Sequence, residues 1–234
     1  MTDDKLKEIW QLLQRTSKED RARVFEQLRR EFPIHSLEKE WSVSADLVLE
    51  AISRSSDLTK RGVRGVIAEA AFEQSVVTPL VASGWKAEIP TGDHPFDFLL
   101  VDKVGPVKIQ VKMQRLEKKV PKYWGRNSQY YVVETQKTRS GKDKKGVSTR
   151  PYQFGEFDLI AVSLHPSGGD WTKFRYTVAD WLLPRSKTGK NRKLVQVFQP
   201  VPIVANADWC DDFETAVKAF RNGKKKTIHE PLRR

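Results

Sequence analysis

The feature that most constrains this chain is a pair of predicted strands joined by a tight turn. Residues 95–100 and 107–113 are rich in β-branched, aromatic and other apolar side chains, and a Gly-Pro pair lies between them. Polar and apolar side chains alternate along the second strand, so Gln110 and Lys112 share one of its faces. A hairpin built from these strands brings Asp97, at the start of the first strand, within reach of both polar residues.

The composition excludes several classes of protein. A chain of 234 residues is long enough for one sizeable domain, or for a domain with a small appendage. No stretch approaches the ~20 apolar residues of a membrane span, and the first residues lack the basic start and apolar run of a signal peptide. The single cysteine, Cys210, excludes an internal disulfide and suits a reducing compartment. We therefore expect a cytoplasmic protein with no membrane partner.

The charge is unevenly distributed along the chain. Residues 1–60 contain 11 Lys and Arg against 12 Asp and Glu, whereas residues 61–234 contain 31 against 18. The excess of positive charge therefore belongs entirely to the second part. Such a surface favours a polyanionic partner, because contacts with phosphates supply most of the non-specific affinity for nucleic acid. A merely soluble, positively charged surface is the alternative.

The first sixty residues are predicted to form a helical subdomain. Apolar side chains recur at helical spacing over residues 3–16 and 18–31. Residues 37–52 have the short helix, turn and second helix of a helix-turn-helix unit. Asp46 and Glu50 on the second of these helices would repel phosphate, so a plain helical packing module is the alternative to DNA reading.

The second part, residues 61–234, is predicted to be an α/β domain. The pattern predicts, in chain order, a helix over 57–82, a strand over 85–89, the hairpin of 96–113, strands over 129–133, 157–164 and 174–178, and a helix over 208–220. The unbroken apolar run of the strand over 157–164 is typical of a central strand covered on both faces. We expect an α/β fold with a mixed β-sheet flanked by helices, to which the N-terminal helical subdomain is attached.

Four of these residues together resemble a known family. Glu69 in the long helix, Asp97 at a strand start, and Gln110 and Lys112 on the next strand are similar to the PD-(D/E)XK nuclease superfamily, and the layout most resembles a type II restriction endonuclease. The resemblance covers roughly residues 61–180 and implies a restriction-endonuclease-like sheet. The family pattern has an acidic residue where this chain has Gln110, although some members use an amide there.

The chemistry of phosphodiester cleavage fits this set of residues. Cleavage needs charge neutralisation at the phosphate and an activated water. Mg²⁺ prefers oxygen ligands and keeps several waters, so Asp97 and Glu69 are candidate metal-binding carboxylates. Gln110 can offer its side-chain oxygen to the metal or to its water, and Lys112 would orient and polarise the attacking water. The family resemblance adds the Val111 carbonyl as a further metal ligand.

Other interpretations of these residues stay open. Glu73, one helical turn after Glu69, is the rival helix carboxylate, and Glu69 itself could be an exposed position paired with Arg64 or Lys60. Asp97 could cap the turn after Pro95, and Lys112 could be a solvated residue of an edge strand. A second Phe-Asp pair, at residues 157–158, is expected to belong to the sheet core.

Three basic loops are the candidate DNA-binding surface. They span residues 112–126, 136–150 and 184–193, and flexible solvated charge is the alternative interpretation. The candidate phosphate contacts are Lys118, Lys119, Lys122, Arg126, Lys137, Arg139, Lys142, Arg150, Arg185, Lys187 and Lys190. The candidate readers of base edges are Asn127, Gln129, Gln136 and Arg139.

These observations favour a Mg²⁺-dependent, sequence-specific endonuclease that cleaves double-stranded DNA as a type II restriction enzyme does. A homodimer is expected, because two-fold symmetry suits the cutting of both strands at a palindrome. A cognate DNA methyltransferase is a possible partner in the same system. The alternatives are a structure-specific or repair nuclease of the same superfamily, and a non-catalytic DNA-binding protein with a degenerate nuclease fold.

Overall fold

The computed structural model describes residues 3–32, 35–92, 94–137, 141 and 149–232, without the side chains of residues 30, 127, 128 and 190. The chain forms two compact units, residues 1–60 and residues 61–234. Within the described residues, no helix is long and apolar enough to cross a membrane.

The described residues of the first unit form the helices α1 (Asp3–Arg15), α2 (Lys18–Glu31), α3 (Ser36–Glu40) and α4 (Ala45–Arg54). Ser17 caps α2 and Ser44 caps α4, each by accepting a backbone N–H of the first turn. The Glu38 carboxylate accepts the backbone N–H groups of His35 and Ala45, so it joins α3 to the start of α4. The predicted helix–turn–helix arrangement is therefore present, and its reading of DNA stays a prediction.

Both acidic residues that argue against DNA contact by α4 have an ion-pair partner. Asp46 forms an ion pair with Arg29 of α2, while Glu50 pairs with Arg54 one turn further along α4. Each pair offsets a negative charge of this helix, which is the charge that argues against contact with phosphate.

The predicted long helix begins at Asp57 and is interrupted. It consists of α5 (Asp57–Phe72), a π-helical turn (Glu73–Val77) and α6 (Thr78–Ala82). Pro79 follows the π-helical turn, and its ring removes the N–H that would bond the carbonyl four residues earlier. The helix ends at Gly84, whose positive φ of 102° suits a glycine.

In the part of the chain that the structure describes, ten strands follow in three sheets. They are β1 (Lys86–Glu88), β2 (Phe98–Val101), β3 (Pro106–Met113), β4 (Leu116–Glu117), β5 (Val120–Pro121), β6 (Tyr123–Trp124), β7 (Asn127–Glu134), β8 (Leu159–Ser163), β9 (Phe174–Val178) and β10 (Phe198–Pro202). The main sheet has the order β1-β2-β3-β8-β9, in which β3 and β8 are parallel and the other pairs antiparallel. The predicted mixed α/β sheet flanked by helices is confirmed.

The hairpin of β2 and β3 has the register that the site needs. Phe98 pairs with Ile109, so the residue before β2 lies beside Gln110. On its other edge β3 pairs with β8, which is fully buried, as predicted for a central strand. Lys112 therefore belongs to an inner strand, not to the edge strand of the alternative interpretation.

Residues 129–133 do not join the main sheet, so that prediction was wrong. They belong to β7, which forms a separate sheet of order β10-β7-β6. β10 escaped detection because it contains Pro200 and Pro202, which lack the N–H of a central strand and are tolerated here at a sheet edge. β4 and β5 form a small hairpin of their own.

The closing helix is shorter than predicted. α8 (Phe213–Arg221) begins after Asp212, whose side chain accepts the N–H of Thr215. Residues 208–212 are not helical, and Cys210 instead forms an isolated bridge with Tyr176 of β9. At its other end α8 is tied to the β2–β3 turn, because Arg221 donates to Asp102 at 2.6 and 2.8 Å. α7 (His165–Gly168) is a single turn after β8.

A ring cluster anchors α5 to the sheet. Phe72 is fully buried, and its ring lies 5.3 Å from that of Phe98, 5.4 Å from that of Phe174 and 6.1 Å from that of Phe213. Each of these pairs is close enough for a favourable aromatic contact in addition to burial.

We expect Phe72→Ala to lower the free energy of unfolding by about 3–5 kcal/mol, because it opens a cavity among three rings. The measurement is urea denaturation followed by tryptophan fluorescence. Val104→Ala is the control, since Val104 is 72% exposed and its truncation costs little. Equal effects of the two substitutions would contradict this packing.

Candidate active site

Asp97 is held at the start of β2 by the neighbouring strand. Its backbone N–H donates to the Ile109 carbonyl at 2.8 Å. Its carboxylate oxygen Oδ2 accepts the backbone N–H of Val111 at 2.7 Å and the side-chain amide of Gln110 at 2.6 Å. Burial raises the pKa of Asp97, while the Lys112 charge and these two hydrogen bonds act in the opposite direction. The carboxylate thus bridges two strands instead of capping a turn.

Glu69 lies in the same electrostatic environment as Asp97. The neighbouring Ala68 and Phe72 are buried and fix this part of α5 in the core, while Glu69 is half-buried. The pKa of Glu69 is raised to about 7, chiefly by burial and also by the Asp97 carboxylate, while the Lys112 ammonium acts in the opposite direction. Two carboxylates and one ammonium therefore interact here.

The structure separates Glu69 from its alternatives. Within the described residues Glu69 forms no ion pair, so the exposed pairing with Arg64 is not observed. The carboxyl that interacts with Asp97 is Glu69, whereas Glu73 begins the π-helical turn. Asp158 accepts the backbone N–H of Lys108 at 2.7 Å, which gives the second Phe-Asp pair the expected role in the sheet.

Gln110 is buried, and the orientation of its amide differs from the expected one. Its nitrogen Nε2 donates to Asp97 Oδ2 at 2.6 Å and to the Val111 carbonyl at 3.1 Å. Its oxygen Oε1 accepts the hydroxyl hydrogen of Tyr152 at 3.0 Å. The reason is that the Asp97 carboxylate and the Val111 carbonyl are both acceptors, so only the amide NH₂ can satisfy them. The side-chain oxygen faces Tyr152 instead.

Tyr152 is the residue of this site that the sequence did not reveal. It is 3% exposed, and its ring lies 5.3 Å from Lys112 Nζ and 5.6 Å from Lys137 Nζ. Burial raises its pKa, and the charge and hydrogen bond of Lys112 oppose that rise. Tyr152 follows Gln110 by 42 positions along the chain and belongs to no periodic pattern, so no sequence signal placed it here.

The donor set fits a hard divalent cation. Asp97 and Glu69 offer carboxylate oxygens, and the Val111 carbonyl, which accepts the Gln110 amide at 3.1 Å, offers a third oxygen. The Asp97 carboxylate raises the pKa of Glu69, and a positive charge close to both would oppose that rise. The described residues contain no group of three or more His, Cys, Asp or Glu that could hold a metal ion. Carboxylate and carbonyl oxygens are ligands that Mg²⁺ can bind while it keeps several waters, whereas structural zinc sites use mostly Cys and His.

The candidate DNA contacts differ in their exposure and in their ion pairing. Lys118, Lys119, Arg126, Arg185 and Lys187 are exposed. Three others pair with carboxylates: Lys122 with Glu117 at 3.1 Å, Lys137 with Glu156 at 2.8 Å and Arg150 with Glu134 at 3.9 Å. Arg139, Lys142 and the side chain of Lys190 lie outside the described residues.

Of the candidate base readers, Gln129 is exposed and Gln136 donates to Glu134. Arg139 and the side chain of Asn127 lie outside the described part of the chain. Base reading by all four stays a prediction.

The tip of the β4–β5 hairpin has an unusual backbone. Lys118 and Lys119 form its two-residue turn, with φ values of 49° and 67°. Turns of this kind favour Asn-Gly, since a Cβ atom is costly at positive φ and Gly and Asn bear that conformation best. Two exposed ammonium groups are therefore held at the end of a short hairpin.

Comparisons with known proteins give one structural similarity to report. No family model and no curated protein sequence matches this chain. The structure of a bacterial homing endonuclease, I-Ssp6803I, is similar over 69% of this chain and 94% of its own, with 18% sequence identity and a TM-score of 0.38. A similarity of this size does not assign an activity.

We expect Glu69→Gln to change the pH dependence of stability in the metal-free protein. The Glu69 pKa is raised from 4.5 to about 7, so its stabilising contribution is complete below pH ~4.5 and is lost as pH rises through ~7. The variant avoids that loss. Urea denaturation in EDTA is expected to show equal stability of the two proteins near pH ~4.5 and a gain for the variant of roughly 2 kcal/mol or less near pH ~8.

Glu73→Gln is the matched control, because it removes a carboxylate one turn away on the same helix. If Glu73→Gln gave the same gain in stability near pH ~8, the gain would come from the general loss of negative charge and not from the position of Glu69 in the site.

Proposed function

We propose that this protein is a Mg²⁺-dependent endonuclease of the PD-(D/E)XK type that cleaves double-stranded DNA, as a type II restriction enzyme does. The observation that carries the proposal is the convergence of Glu69, Asp97 and Lys112 at the β2–β3 hairpin. These groups come from a helix and two adjacent strands, and they are 15 or more positions apart in the chain. Perturbed carboxyl pKa values with a shared cation partner are typical of functional sites.

The chemical roles follow from the groups present. Bound Mg²⁺ would neutralise charge on the phosphate and stabilise the leaving oxygen. Asp97, Glu69 and the Val111 carbonyl are the residues that would hold it. Lys112 would orient and polarise the water whose oxygen bonds to phosphorus as one ester bond breaks, and its charge would offset that of the phosphate.

The partner that this charge distribution suits is duplex DNA. The second unit carries all of the excess positive charge, and the exposed lysines at the β4–β5 turn are free of the ion pairs that occupy Lys122, Lys137 and Arg150 in the described residues. A homodimer would present two such sites to the two strands, and a cognate methyltransferase would protect the host's own sites.

One observation favours a second candidate function. The amide nitrogen of Gln110, not its oxygen, faces Asp97 and the Val111 carbonyl. A chain that kept this arrangement in the presence of Mg²⁺ would bind DNA without cutting it.

We expect the wild-type protein to cut long duplex DNA into discrete fragments with Mg²⁺ and not with EDTA. Lys112→Met and Asp97→Asn should each lower the cleavage rate at least about 100-fold, since each removes a charge that acts on the transition state. Lys108→Met is the matched control: Lys108 lies four positions away on the same strand and its ammonium lies 5.8 Å from the Phe96 ring.

The pattern of products separates the candidates. Discrete fragments support sequence-specific cutting, and selective cutting of branched or damaged DNA supports a structure-specific or repair nuclease. Bound but intact DNA with all four proteins supports the non-catalytic alternative and contradicts the nuclease proposal.

We expect the double substitution Lys118→Asn with Lys119→Gly to separate DNA affinity from stability. Asn-Gly is the preferred pair for this turn, so the melting temperature should be unchanged or higher. The loss of two ammonium groups should lower affinity for non-specific duplex DNA several-fold. It should also reduce the slope of log affinity against log salt concentration by the amount expected for about two phosphate contacts. Fluorescence anisotropy at several salt concentrations measures both quantities. An unchanged salt slope would exclude this hairpin from the DNA surface.

A further inference from the structure

The Gln110 amide lies against the same oxygens that the proposed cation would need. One NH₂ group donates to Asp97 Oδ2 at 2.6 Å and to the Val111 carbonyl at 3.1 Å. We propose that Gln110 is an internal substitute for the cation and not one of its ligands, so that a cation enters only as the amide turns or withdraws. This inference rests on the cation site of the proposed function.

Both ends of the amide are specified by their neighbours. Oε1 accepts from the Tyr152 hydroxyl at 3.0 Å, and Tyr152 is fixed by the backbone hydrogen bond from Val195 at 2.9 Å and by the Phe157 ring at 5.2 Å. The neighbouring ammonium of Lys112 is a donor only, so it leaves the hydroxyl hydrogen to Gln110. A turn of the amide would place Oε1 against two other acceptors, Asp97 Oδ2 and the Val111 carbonyl, and would leave the Tyr152 hydroxyl without its acceptor.

The partial burial of the Asp97 carboxylate explains why such a substitute is useful. A buried charge without partners is costly, and in the cation-free protein Asp97 has the Val111 N–H and the Gln110 amide as its hydrogen-bond donors. The amide thus stabilises the cation-free fold and at the same time competes with the cation. The oxygens of a bound DNA phosphate would act as further ligands of the cation and would favour it over the Gln110 amide. Cation entry would therefore be coupled to DNA binding.

The first test asks whether removal of the Gln110 amide strengthens or weakens the binding of a divalent cation. Gln110→Met keeps an unbranched side chain of similar length but can neither donate a hydrogen bond nor supply an oxygen ligand. By titration calorimetry with Mn²⁺ and no DNA, we expect about fivefold tighter binding than in wild type, the factor that corresponds to one net hydrogen bond. If Gln110 ligates the cation through Oε1, binding weakens, and that result or unchanged affinity overturns the inference.

The second test compares two buried glutamines. Gln199 is a matched control: it is fully buried, its Nε2 donates to the carbonyls of Leu183 and Gln196 at 3.0 and 2.9 Å, and its Oε1 accepts the Leu183 N–H at 2.9 Å. Gln110→Glu and Gln199→Glu should both lower the melting temperature in EDTA at pH ~8, because each replaces a donor by a negative charge. Only Gln110→Glu should recover stability with Mn²⁺.

A Gln110→Glu variant that is as stable as wild type in EDTA, or that Mn²⁺ fails to rescue, overturns the inference. The two failures are distinguishable. If neither wild type nor any variant binds Mn²⁺, the proposed cation site is wrong, and the substitute role falls with it. If wild type binds Mn²⁺ and Gln110→Met binds it more weakly, the cation site stands and only the role of Gln110 is wrong.

Discussion

The site depends on how a partly buried carboxylate is satisfied. Asp97 is partly removed from water by the strands around it, and its Oδ2 accepts from the Val111 backbone N–H and the Gln110 amide. Both donors belong to β3, so they meet Asp97 only if Phe98 pairs with Ile109. A shift of one residue would reverse the faces of β3 and take Gln110 and Lys112 away from the carboxylate.

The rest of the fold holds that register in place. β3 is paired on both edges, with β2 antiparallel and β8 parallel, and the ion pair between Arg221 and Asp102 ties the β2–β3 turn to α8. Phe72 fixes α5 against the same sheet and so positions Glu69. The polar site is thus built on rigid elements, which is what a preorganised charge arrangement requires.

Much of this arrangement can be predicted from local patterns. Strict alternation of polar and apolar side chains along residues 107–113 predicts that Gln110 and Lys112 share one face of the strand. A carboxylate in an apolar helical run predicts that Glu69 is partly buried. Both are properties of a few consecutive residues. Local periodicity also predicts the helices of the first unit and the central position of β8.

The features that escaped prediction depend on long-range packing. Tyr152 reaches Gln110 only through the folded chain, and the direction of the Gln110 amide is decided by which neighbours donate and which accept. The sequence of β7 predicts a strand, but this strand pairs with β10. The sequence did not predict β10, because its prolines are unusual in a strand. The start of α8 is set by the bridge between Cys210 and Tyr176, which local propensity does not contain.

The most direct test of the central claim is the position of a bound cation. Crystals of the protein grown with Mn²⁺ and a DNA duplex can be measured at the manganese absorption edge, where the anomalous difference map shows the metal alone. We expect a peak at ligand distance from Asp97 and the Val111 carbonyl, with the Gln110 amide nitrogen turned away from both. A peak elsewhere, or none at saturating Mn²⁺, would contradict the assignment of this hairpin as a metal-dependent nuclease site.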